Sequence, residues 1–160
     1  MIKTTAITSV AVIMMLVCAS TSLAGDAWEM IITAYVNDAE NRLIIGQRPD
    51  AREGIDGEHD VPALLAGDIM AYLELEGQEY WKDMRETCLT QCVRTWNVFV
   101  ESELIGETVG LEWDAAGIPD DIAVTLTDTL SGSVIDMKME EGISYENTGD
   151  RDFVVEARKK

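Results

Sequence analysis

Histidine is almost missing from this chain: His59 is the only one in 160 residues. A lone imidazole lacks the companions that a zinc site or a Ser-His-Asp relay requires. The serines after residue 24, Ser102, Ser131, Ser133 and Ser144, therefore have no evident histidine partner. The G-x-S-x-G elbow, the P-loop, G-x-G-x-x-G and H-E-x-x-H are absent as well. Basic residues are scarce, 12 Lys and Arg against 30 Asp and Glu, for a net charge of −18. Such a balance opposes non-specific binding to nucleic acid or anionic lipid and favours solubility. With so many acids, any chosen carboxylate pair is uninformative. An acidic hydrolase that works through two carboxylates is the remote alternative.

Long apolar runs are missing too. The one candidate, Ala6 to Cys18, is short and interrupted by Thr8 and Ser9, whereas a membrane span needs about 20 apolar residues. Lys3 precedes it and Ser22-Leu23-Ala24 follows. That order reads as an export signal over 1–24, cleaved before Gly25. The protein is then secreted, held at the cell surface or periplasmic. Residues 25–160 form a single domain of 136 residues, with 11 basic against 30 acidic side chains. Val17 stands before Cys18 where a lipidation signal takes Gly, Ala or Ser, so a lipid anchor is the lesser alternative.

Cysteine is sparse: once Cys18 departs, only Cys88 and Cys92 remain. An even count outside the cytosol predicts a disulfide. So small a loop contributes only about 2 kcal/mol of chain entropy. The expected role is a local staple, as in a hairpin turn around Leu89-Thr90-Gln91.

What is present is alternation. Ile69, Ala71, Leu73 and Leu75 interleave with Met70, Tyr72 and Glu74. The same period of two runs through Trp96–Val100, Val109–Trp113, Ile122–Leu126, Ile135–Met139 and Phe153–Ala157. Trp28–Val36 and Arg42–Gly46 are apolar and β-branched. Gly106, Gly117-Ile118-Pro119-Asp120, Ser131-Gly132, Gly142 and Asn147-Thr148-Gly149 punctuate these runs as turns. Short one-sided strands at regular spacing predict an all-β, antiparallel β-sandwich. Tyr80–Gln91 is ambiguous and is compatible with a helical turn.

One segment breaks the pattern. Arg48–Pro62 is long, acidic and poor in apolar residues, and loops of this kind are usually functional or mobile. Asp50, Asp56, Glu58 and Asp60 supply hard oxygen ligands, so Ca²⁺ is the one metal cofactor the sequence suggests. Counted from Asp56, however, Val61 and Gly67 stand where an EF-hand loop needs Gly and Glu. The plain alternative is an acidic surface loop, with His59 a solvated turn residue. Among four tryptophans, Trp96 and Trp113 share a phase with core positions. Trp28 and Trp81 are the candidates for stacking on a carbohydrate.

Gly46-x-x-Pro49-Asp50-Ala51, Gly54-Ile55-Asp56 and Asp60-x-Pro62 together resemble a motif of bacterial secreted β-sandwich modules of immunoglobulin or fibronectin-III-like type. The likeness continues through Tyr80-Trp81, Trp96-x-x-x-Val100, Leu111-x-Trp113 and Phe153-x-Val155. It departs at Ala63-Leu64-Leu65, where the family carries further prolines. The resemblance implies an accessory, binding or assembly role and supplies no catalytic residues. The expected function is a non-enzymatic exported module that binds a protein partner or assembles with itself. A calcium-dependent or carbohydrate-binding module is the alternative.

Overall fold

The computed structural model describes residues 27–160, and the expected leader lies outside them. The protein is all-β. Eleven strands form among the described residues: β1 (Trp28–Val36), β2 (Ala39–Arg48), β3 (Val61–Pro62), β4 (Met70–Leu75), β5 (Gln78–Glu86), β6 (Val93–Glu101), β7 (Thr108–Trp113), β8 (Ile122–Asp128), β9 (Val134–Asp136), β10 (Gly142–Glu146) and β11 (Arg151–Lys159). No described helix is long and apolar enough to cross a membrane.

Alternation builds the core. β1 buries Trp28, Met30, Ile32, Ala34 and Val36, and β8 buries Ile122, Val124 and Leu126. β11 contributes Phe153, Val155 and Ala157 from the same side. Each large aliphatic side chain removed from water stabilises the fold by about 1.5–3 kcal/mol. With no helical layer among the described residues to cover these faces, the sheet covers itself. It runs unbroken in the order β10-β7-β1-β2-β5-β4-β6-β11-β8-β9, with β3 beside β5, and curls into a half-barrel. Across the interior, Trp28 meets Trp96 edge to face, with ring centroids 6.0 Å apart. Tyr145 on β10 meets Phe153 on β11 at 5.9 Å.

Two features depart from a purely antiparallel sandwich. The ladders join into one continuous sheet, and β2 pairs with β5 in parallel, Ile44 opposite Lys82 through Arg48 opposite Glu86. The chain from 49 to 77 separates these two strands. It carries β3, β4 and the acidic loop, enough length for β5 to return in the same direction as β2. β5 also changes phase within itself. Val61 lies opposite Lys82 while Pro62 lies opposite Tyr80, a shift in register. Tyr80 belongs to the core cluster, yet Asp83, three residues on, pairs with inward-facing Ile45. A bulge re-aims a strand in this manner. It explains why Tyr80–Gln91 shows no clean period, and the strand over 78–86 replaces the helical turn.

The β4–β5 hairpin turns through Glu76 and Gly77, both at positive φ (54° and 76°), between the paired residues Leu75 and Gln78. Positive φ at both central residues is the geometry that suits the twist of a two-residue hairpin.

Candidate functional site

The acidic loop is built around its own backbone. Asp56 and Asp60 are buried at 7% exposure each. Asp56 accepts from the Arg52 and Glu58 N–H groups, both at 3.1 Å. Asp60 accepts from the Asp56 N–H at 2.6 Å and from the Met84 N–H at 3.0 Å. The four carboxylate oxygens therefore close the loop and clamp it to β5. Glu58 is exposed. Asp50 turns away toward Arg48 (3.1 Å) and His59 (3.5 Å). The Arg48 hydrogen bond holds the Asp50 carboxyl below its ordinary range. Asp50, Asp56, Glu58 and Asp60 are thus not gathered around one point. Among the described residues no group of three or more His, Cys, Asp and Glu side chains is placed to hold a metal.

Cys88 and Cys92 form a disulfide, with Cα atoms 5.8 Å apart. Their loop joins β5 to β6, and β4 lies between those strands in the sheet. It is therefore a bridge between non-adjacent strands rather than a hairpin turn. Trp28 lies inside at 4% exposure, its Nε1–H donating to Gln47 Oε1 at 2.9 Å. Gln47 Nε2 donates in turn to Glu86 O and to Cys88 Sγ. The indole of Trp28 thus fills the core, because its strand phase matches Met30 and Ile32, and offers no stacking face to solvent. Trp81 is half-buried on β5. Trp96 and Trp113 are in the core as expected, at 1% and 5% exposure.

A polar cluster sits beside Trp96. Asp83 is 1% exposed and accepts from Arg85 Nε at 2.9 and 3.1 Å. Burial pushes its carboxyl up, and the Arg85 charge opposes that shift. The Arg85 guanidinium lies 5.9 Å from the Trp96 ring centre, and Glu53 reaches Arg94 at 2.8 Å. Every member has a partner and Asp83 is closed off from solvent, which fits a structural network better than a reacting one.

The surface with unmet capacity lies elsewhere, on the outer face of β1, β7 and β10. An open groove of about 730 Å³ is lined by Ile31, Thr33, Tyr35, Glu112, Gly142 and Ser144. Strand phase puts Ile31, Thr33 and Tyr35 opposite the core set of β1. Glycine shapes the floor. A Cβ at Gly110 would strike the Tyr35 ring, so that ring occupies the space the missing side chain leaves. A Cβ at Gly142 would meet Leu111 O and Glu112 Cγ. The Tyr35 hydroxyl is held above its ordinary pKa by its hydrogen bond to Glu112, then by burial and by the Glu112 charge. A second depression of about 660 Å³ continues past Asp114 and Glu141 to Asp120 and Glu140. Its one cation, Lys138, donates to Pro119 O at 2.7 Å. Among the described residues, Glu112, Asp114, Glu140 and Glu141 form no ion pair.

The groove was not among the sequence candidates. Its signals were Gly110 inside an otherwise clean strand, which marks a close approach, and Ile31 and Tyr35 on the water-facing phase of β1. No protein-family model, curated protein or solved structure matches the chain.

Proposed function

We propose that this chain is a non-enzymatic, exported binding or assembly module, and that its contact surface is the groove over β1, β7 and β10. One observation carries the reading: among the described residues, Glu112, Asp114 and Glu141 pair with no base along a glycine-floored groove that ends at an unpaired sheet edge, β10. Three exposed carboxylates with no base among them make a local negative field that favours a cationic partner, and exposed edges are usually blunted in proteins that do not use them. The likeness to secreted immunoglobulin or fibronectin-III-like modules belongs to the same proposal. The one-sided strands support that likeness, and the single continuous sheet is a feature it must accommodate.

The test is a photo-cross-linking residue placed at Ser144 and, as a control, at Thr125 on the outer face of β8, in the organism that makes the protein. Adducts formed at position 144, absent at 125, and lost on adding Glu112→Lys and Glu141→Lys are the expected result. Equal labelling at both positions, or none at 144, would overturn the proposal.

A further inference from the structure

We infer that the occupant of this groove is an extended, lysine- or arginine-bearing polypeptide segment that adds to β10 as a new edge strand. The inference rests on the binding-module reading and specifies its partner.

Backbone geometry supplies the first argument. The Trp113 N–H donates to Glu141 O at 3.0 Å, and the Asn147 N–H donates to Glu107 O at 2.8 Å. In an antiparallel pair, bonded and non-bonded positions alternate. The N–H and C=O groups of Gly142, Ser144 and Glu146 therefore point away from β7. Among the described residues they find no backbone partner, because β10 ends the sheet. Ser144 and Glu146 are exposed and Gly142 is half-exposed. The strand carries neither lysine nor proline, and its one charged residue is Glu146 at its end. It offers a row of donors and acceptors that an extended chain can match.

Charge decides what kind of chain. Gly142 pairs with Glu112 on β7. A strand added beside β10 would lie one spacing of about 4.8 Å beyond it. Opposite Gly142 no side chain intervenes, so a long basic side chain can pass over the glycine toward the Glu112 carboxylate. Glu141 and Glu146 flank the same edge. Inward of β10, Ile143 and Tyr145 are half-buried against the core. Alternate residues of an added strand would lie beside them, so the partner should alternate basic with apolar residues. The same charges argue against a second copy of this chain. Two β10 edges side by side would bring Glu141 and Glu146 of both copies together, in a protein of net charge −18.

The experiment titrates isotope-labelled protein with a blocked peptide of alternating lysine and valine matched in length to β10. A glutamate–valine peptide is the control. The amides of Gly142, Ser144 and Glu146 should shift and become protected from exchange. Affinity should drop at least about tenfold between about 0.01 M and about 0.1 M salt, as the Debye length shortens from ~30 to ~10 Å. Ser144→Pro removes one outward N–H and should abolish binding with the fold kept, because an outward-facing edge position tolerates proline. If that variant does not fold, Glu112→Lys with Glu141→Lys decides the matter and should abolish lysine-peptide binding. Equal binding of the two peptides, shifts confined to β9, or a concentration-dependent dimer held through β10 would each overturn the inference. Cross-links at position 144 without any lysine preference would defeat the cationic strand and leave the module. Lysine-peptide binding without cross-links in the cell would defeat the module reading.

Discussion

Two aspartates show how the same side chain can act in opposite directions. Asp128 is 5% exposed and accepts from Arg151 at both oxygens. Ser131 Oγ and the Leu130 N–H also donate to it. The Arg151 hydrogen bond, the largest influence, holds its carboxyl well below the usual range. Its folded pKa lies under its unfolded value, so its ionised form favours the fold. That stabilisation is complete above the unfolded pKa of about 4 and is lost as pH falls toward the folded value. Asp83 has the reverse sign. Burial raises its pKa, so its contribution is greatest below about pH 4 and declines as pH rises through the folded value. Asp128→Asn should cost about 3 kcal/mol at neutral pH, since it strips the partner from a guanidinium that keeps 15% of its side chain exposed. The Arg151 cation over the Tyr145 ring, 4.3 Å from its centre, remains as partial compensation. Urea midpoints followed from pH 6 downward should lose less stability in the variant than in the parent. An unchanged slope would remove Asp128 from the acid response.

At the scale of the strand, the position that most needs its residue is Gly110. Valine has the higher intrinsic preference for strands, by up to about 1 kcal/mol. A Cβ there meets the Tyr35 ring at its Cζ, Oη and Cε1 atoms. Overpacking costs about 1–3 kcal/mol, so the clash outweighs the propensity and Gly110→Val should destabilise. Adding Tyr35→Ala should recover most of the loss, and the coupling in that double-mutant cycle measures the contact. Equal stability of parent and single variant would show that Tyr35 does not occupy the glycine's space. The strand scale also shows what sequence could and could not reveal. β1, β8 and β11 were legible because one face is apolar over five or more residues. β10 was not: Gly142 reads as a turn, and Ile143 and Tyr145 are only half-buried. β5 was obscured by its change of phase between Tyr80 and Asp83. The acidic loop stood out by composition, yet composition could not tell that Asp56 and Asp60 spend their oxygens on backbone N–H groups. The outer groove was hidden for the same reason, because it depends on which strands become neighbours.

The molecule as a whole is a sheet whose two end strands, β10 and β9, do not pair with each other. Closure of the core between them falls to side chains. Trp113 Nε1–H, from β7, donates to Met137 O at 2.9 Å and to Glu140 O at 2.7 Å, just beyond β9. Asn147, beyond β10, donates to Ser102 O and Leu104 O at 3.0 and 2.9 Å, tying that edge to the end of β6. A side-chain seam has no ladder to share its load, so each donor matters more than a bond inside the sheet. Trp113→Phe keeps an apolar ring in the core and removes only the N–H, leaving two carbonyls short of a donor. Such a loss costs about 2 kcal/mol. Its location is the sharper prediction. Local opening follows regional contacts, so hydrogen exchange should accelerate for residues 134–146 while the β6–β11 ladder stays as protected as in the parent. A uniform acceleration across the sheet would mean that the seam is not a separate unit and that the half-barrel opens only by unfolding altogether.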